Sequence, residues 1–219
     1  QGKYKGNDIT SDLWDNFVDE AAYERFTEMW CRDCFHVLKP GGFLISFFDK
    51  RRLSLIPNIL EPLGMKTRDV VTWIKRNPVP QVRRVKFAQA SEMAIIMSKP
   101  GPNRFQWQNG YHPNYIKLPI VGGHQRLKDE EGKTLHMTQK PLMLFRWLMD
   151  YFCEPGGLVL DPFAGTCTTA EAAIMSGREF ICIEREQKYV EAGKRRIEFT
   201  QRDLFPVDYK SKEYKLKYL

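Results

Sequence analysis

The stretch Leu158-Val159-Leu160-Asp161-Pro162-Phe163-Ala164-Gly165-Thr166-Cys167-Thr168-Thr169 limits the chain's fold more than any other. An apolar run closed by Asp-Pro, then small residues, then the helix-forming Ala170-Glu171-Ala172-Ala173-Ile174, reads as a buried parallel strand turning sharply into a helix. Pro162 withdraws a backbone donor and stops the strand. Gly165 lets the backbone come close to a ligand, and the helix start turns unpaired N–H groups and its positive dipole end to the same space. A ligand crevice is expected there.

A second apolar run, Phe180-Ile181-Cys182-Ile183, ends in Glu184. That places a carboxylate about 20 residues past the glycine turn, where such a group accepts ribose hydroxyls in nucleotide-binding α/β folds. Strand, small-residue turn and acid together predict a nucleoside site across two neighbouring strand ends.

The remaining chain divides by period and by punctuation. Phe17, Ala21, Phe26, Met29 and Trp30 recur at helical spacing from about Asp15 until Lys39-Pro40-Gly41-Gly42 ends the pattern. Strands are predicted at 43–48, 70–74 and 93–97, and helices at 53–63 and 140–153, the latter stopped by Glu154-Pro155-Gly156-Gly157. With 158–161 and 180–183 this makes five strands. Tyr189, Val190, Ala192 and Ile197 continue as a charged surface helix, and the lysine-rich tail from Gln201 reads as flexible. Residues 101–133 show no clean periodicity; Trp107, Tyr111, His112, Tyr115 and His124 lie there among basic residues, an interleaving that suits base and backbone contact, and the histidines, without ligand spacing, are read as loop residues.

At 42% hydrophobic and 13% aromatic, the 219 residues suffice for one globular core. No run is long and apolar enough to span a membrane and no signal-peptide pattern opens the chain, so a soluble, cytoplasmic protein is expected. The formal charge of +7 favours a polyanionic partner. Cys31, Cys34, Cys153, Cys167 and Cys182 are odd in number and irregularly spaced, which argues against a disulfide framework. Cys31 and Cys34 lack the second ligand pair a zinc site needs and are assigned to helix packing, with no metal. Between the second and third strands, Lys75-Arg76-Asn77-Pro78-Val79-Pro80-Gln81-Val82-Arg83-Arg84-Val85-Lys86 forms a basic, proline-stiffened loop suited to phosphates. Trp73 is compatible with a base pocket or with the core.

Asp161-Pro162-Phe163-Ala164-Gly165-Thr166-Cys167-Thr168-Thr169 resembles the Asp-Pro-Phe-x-Gly-Ser-Gly-Thr-Thr motif of the S-adenosylmethionine-dependent DNA amino-methyltransferases, which act on adenine N6 or cytosine N4. His136-Met137-Thr138-Gln139-Lys140-Pro141 resembles the family's His-Pro-Thr-Gln-Lys-Pro motif, and the likeness reaches back through 37–44. The order, target half before cofactor half, is that of the permuted beta group. Cys167 stands in place of a glycine, where a side chain either crowds the cofactor or requires a different local backbone; Met137 replaces a proline, which loosens that turn.

The resemblance implies a doubly wound, mostly parallel α/β sheet of Rossmann-like methyltransferase type. It divides the chain into a target-side half (1–100), a short target-recognition region (101–135), a cofactor half (136–200) and a basic tail (201–219). It implies S-adenosyl-L-methionine as cofactor, cradled by Asp161, Phe163, Gly165 and Thr166, with Glu184 on the ribose and Thr138 and Lys140 closing over it. Double-stranded DNA is the implied partner, met by Lys75, Arg76, Arg83, Arg84 and Lys86, with methylation of adenine N6 ranked ahead of cytosine N4. The family's catalytic Asp-Pro-Pro-Tyr or Ser-Pro-Pro-Tyr motif does not occur in these residues. Because similar sheets have seven strands, two are expected upstream of residue 1, on a preceding segment or a partner chain; a homodimer is left open. An RNA methyltransferase and a non-catalytic DNA-binding subunit are the alternatives. The absence of Gly-x-Gly-x-x-Gly disfavours a nicotinamide enzyme.

Overall fold

The computed structural model describes residues 17–82, 84–122, 126–127, 132 and 139–204. Helix α1 (Glu20–Val37) starts where the Asp19 carboxylate accepts the Ala22 N–H at 2.7 Å. Strand β1 (Phe43–Phe47) follows, then α2 (Leu55–Leu60), whose closing 3-10 turn ends at Gly64 with φ +96°. Next come β2 (Lys66–Lys75), β3 (Ser91–Ser98), β4 (Tyr115–Leu118) and α3 (Leu142–Phe152). The chain then runs through β5 (Leu158–Asp161), α4 (Thr168–Met175), β6 (Glu179–Cys182) and α5 (Gln187–Leu204).

Two sheets form, in the orders β1-β3-β2-β4 and β5-β6. Strand β3 runs antiparallel to β1 and β2, while β4 lies parallel to β2 and β6 parallel to β5. Helix α3 gives the two sheets one direction. Its Phe152 ring meets Phe43 at the start of β1 (5.1 Å), whereas Lys140, just before the helix, reaches Phe47 at the end of that strand. The chain leaves α3 at the Phe43 end and returns along β5, so β1 and β5 both point toward Lys140. Of the described strands, β3 alone is reversed.

Period-two alternation divides β3 between two cores. Ile95 and Met97 face α1 and α2 with Leu44, Cys31, Ile56 and Leu60, while Ala94 and Ile96 face α3 with Val71 and Leu148. The other side of α3 packs Met149, Leu142 and Phe145 on Val159, Ala172 and Ala173. Helix α3 thus holds both sheets together.

Several expectations change. Residues 115–118, read as loop, form a sixth strand, β4, on the edge of β2. Residues 201–204, assigned to a flexible tail, are the last turn of α5, and Thr200 and Gln201 are buried. Trp73 is a core residue, 3% exposed, with its indole N–H donating to the Leu118 carbonyl at 3.0 Å. Cys31 is fully buried, and burial pushes its thiol up to about 12. No described helix is long and apolar enough to cross a membrane.

Candidate functional site

At the end of β5 the Asp161 carboxylate folds the turn around itself. Its Oδ1 accepts the Phe163 N–H at 3.0 Å and its Oδ2 the Thr169 hydroxyl at 2.5 Å. Burial raises this carboxyl above its ordinary range; the Thr169 hydroxyl and Phe163 amide oppose the rise, and the charge of Glu184 adds to it. Asp161 therefore shapes the turn from inside.

Glu184, two residues beyond β6, stands across the same opening. Its Oε2 accepts the Gly165 N–H and its Oε1 the Glu186 N–H, both at 2.8 Å. Gly165 has φ +52°, a conformation glycine takes without strain, and that directs its N–H toward the acid. Each carboxylate oxygen keeps a second lone pair, so Glu184 can still accept hydroxyl donors. The Ile183 N–H to the Asp161 carbonyl (2.9 Å) and the Ala164 N–H to the Ile183 carbonyl (3.0 Å) tie the loops together.

Cys167 has φ +58° and ψ +40°, left-handed backbone, so the replaced glycine leaves its conformation behind. The side chain turns into the protein and is 7% exposed. A Cβ at Gly193 of α5 would lie 2.5 Å from its sulfur, so that helical glycine makes the room. The Cys182 thiol donates to Cys167, drawing the Cys167 thiol below its ordinary value and, with burial, pushing Cys182 far above its own. Cys167 is stored behind the turn, away from the opening.

Arg196 of α5, which sequence reasoning missed, clamps the turn. Its guanidinium donates to the Thr166 carbonyl at 3.2 Å and the Thr168 hydroxyl at 2.9 Å, and forms an ion pair with Glu171 of α4. Thr166 itself is buried and shapes the turn from behind. Phe163 does the opposite. Its ring is 54% exposed and leans on Trp30 (5.6 Å) and Phe26 (6.0 Å) of α1. An exposed aromatic edge, a glycine turn and an acceptor carboxylate suit a nucleoside: a base to stack and hydroxyls to hold.

The other expected residues spread along the same end of the molecule. Arg76, Arg84 and Lys86 are exposed in the β2–β3 loop, Arg84 with φ +53°. Lys75 is not free: its Nζ lies 2.8 Å from Glu92 on β3, and Lys140 pairs with the other oxygen of Glu92 at 3.1 Å. Thr138 and Arg83 lie outside the described residues, as does the rest of 133–138. A separate cavity among Gly41, Phe43, Arg68, Ser98 and Lys99 opens at the opposite end of the sheet. Its polar groups are used internally, Arg68 on Ser98 and Lys99 on the Phe35 and Leu38 carbonyls.

Residues 4–195 match the DNA methylase family of N6 and N4 enzymes. The chain belongs to that family. It is 36% identical over 195 residues to the Type II methyltransferase M.HinfI of Haemophilus influenzae, covering 85% of this chain and 54% of that one. The Type II methyltransferase M2.MboI of Moraxella bovis is 30% identical over 192 residues, 84% of this chain and 68% of the relative. The chain thus spans about half the length of M.HinfI. Among solved structures, M1.HpyAVI in complex with SAM superposes with a TM-score of 0.69 at 27% identity, covering 79% of this chain and 83% of that one. The cytosine-N4-specific PvuII DNA methyltransferase superposes at 0.67 with 17% identity over 80% and 71%, a likeness of fold.

Proposed function

We propose that this chain is the cofactor-binding and DNA-engaging part of an enzyme that moves a methyl group from S-adenosyl-L-methionine to an exocyclic amino group of double-stranded DNA, adenine N6 ahead of cytosine N4. The observation that carries the reading is the opening between Asp161 and Glu184, formed by the segments that resemble the family's cofactor motif. Glu184 takes the ribose hydroxyls, Gly165 gives close approach, Phe163 offers its exposed ring, and Asp161 and Thr166 hold the shape. Lys140, with Thr138 outside the described residues, is assigned to the cofactor by the same resemblance. Arg76, Arg83, Arg84 and Lys86 meet phosphates, with Lys75 at the root of their loop. The 17% identity to the cytosine-N4-specific PvuII enzyme is too low to transfer that specificity. When bound, the cofactor supplies an electrophilic methyl on sulfonium.

The groups that would accept hydrogen bonds from the target amine are assigned to a strand between β1 and β5. Among the described residues no strand pairs with the free edge of β1 or of β5, and the Pro-Pro-Tyr sequence of the family motif does not occur in residues 1–219. We place that strand on further polypeptide, of this chain or a partner.

The test is transfer of isotopically labelled methyl to duplex DNA by the complete polypeptide, followed by nucleoside analysis. Labelled N6-methyladenine is expected. Labelled N4-methylcytosine would correct the base, label confined to RNA would move the enzyme to the alternative substrate, and DNA binding without transfer would make it a non-catalytic subunit. Glu184→Ala should weaken binding of the demethylated cofactor by calorimetry, losing about 1.5 to 3 kcal/mol for a charge-assisted hydrogen bond.

A further inference from the structure

Glu92 closes a stripe of alternate residues, Ile96, Ala94 and Glu92, on the α3-facing side of β3. The first two are apolar and fully buried; the third puts a carboxylate where the apolar layer ends. One of its oxygens takes the ammonium of Lys75, from the last residue of β2. The other takes the ammonium of Lys140, two residues before α3. Their side chains are only 14% and 24% exposed, and that of Glu92 31%. Lys75 lies over the Trp73 ring at 5.3 Å and Lys140 over Phe47 at 5.9 Å, so both reach Glu92 across aromatic surface. Burial pushes the Glu92 carboxyl up, but Lys140 and Lys75 outweigh it and hold the group below its ordinary value. Among the described residues, it joins the root of the basic loop to Lys140, just ahead of α3.

We infer that Glu92 is a positioning residue through which DNA engagement by the β2–β3 loop strengthens the hold on Lys140 and, with it, cofactor binding. The inference rests on the functional reading above. One carboxylate shared by two ammonium groups holds each less firmly than it would hold one. Phosphates docking on the loop draw Lys75 toward themselves and leave the carboxylate to Lys140. Coupling of this kind is reciprocal, so cofactor equally tightens DNA.

The experiment measures affinity of the complete polypeptide for S-adenosylhomocysteine, alone and with saturating duplex DNA. The ratio of the two affinities is the readout, since a general loss of binding or folding divides out of it. Wild type should show a ratio of about five or more, the lower end for coupled sites. Glu92→Gln, which removes the charge, should bring the ratio to about one. Glu92→Asp keeps the charge but loses the reach to span both lysines, and should also lower it. A wild-type ratio of one, or an unchanged ratio in both variants, overturns this inference and leaves the functional reading standing. Failure of wild type to bind the cofactor product at all would overturn both.

Discussion

Arg196 bonds to three points around the Asp161 turn: the Thr166 carbonyl inside it, the Thr168 hydroxyl at the start of α4, and the Glu171 carboxylate one turn further. The Arg196 and Glu171 side chains are only 11% and 20% exposed, so loss of either strands a poorly hydrated charge. Arg196→Met should cost about 3 kcal/mol of stability, read from the denaturant midpoint. Arg196→Met combined with Glu171→Met should recover much of it, because two apolar groups replace a paired charge. A double variant as weak as the sum of the singles would show that the pair is not what holds the turn. Cys167 belongs to the same argument. The departure from glycine was visible in the sequence, but its accommodation was not, because it depends on the distant Gly193 of α5 leaving space for a sulfur. A glycine inside a helix costs roughly 1 kcal/mol against alanine, and that local oddity was the signal available.

Elements were legible where the signal was local. The five expected strands and the main helices stand close to their predicted places, because apolar period and Pro or Gly punctuation lie within each segment. Strand β2 is longer than expected since its first residues, Lys66 to Asp69, are polar and exposed and owe their strand form to pairing with β3. Strand β4 was missed because so short a segment on a sheet edge buries little, and its partner β2 is remote in sequence. The β2–β3 loop is basic in sequence, but its charges divide by partner. Lys75 is committed to Glu92, while Arg84 and Lys86 stand in water. Replacing Arg84 and Lys86 with Ala should therefore weaken DNA binding equally for all sequences. It should flatten the plot of log affinity against log salt by about 0.9 for each phosphate no longer neutralised. An unchanged slope would assign the loop to solvent.

At the scale of the molecule, the two sheets are joined by helices and, among the described residues, by no strand. Helix α3 packs against β3 and β5 on one face, and Phe26 and Trp30 of α1 lean on Phe163 across the other. Hydrogen-bond alternation fixes which groups look into the space between. The Lys99 N–H bonds to the Gly42 carbonyl and the Phe48 N–H to the Met93 carbonyl, so even-numbered residues of β1 serve β3. Phe43, Ile45 and Phe47 turn their N–H and C=O groups to the open edge. On β5, Gly157 and Asp161 accept from β6, which leaves Leu158 and Leu160 facing back. Leu158, Leu160, Ile181 and Ile183 also leave apolar side chains 37 to 46% exposed, although sheets of this type are covered on both faces. Among the described residues neither row has a strand partner, and such rows are a template for one more strand. If a strand on further polypeptide lies there, hydrogen exchange at Phe43, Ile45, Phe47, Leu158 and Leu160 should be slow when that polypeptide is present and fast in residues 1–219 alone. The even-numbered amides of β1 should be protected in both, because β3 holds them either way. Equal protection at the facing rows in the two samples would mean that β1 and β5 close on each other without help, and the methyl acceptor's hydrogen-bond partners would have to be sought within these residues.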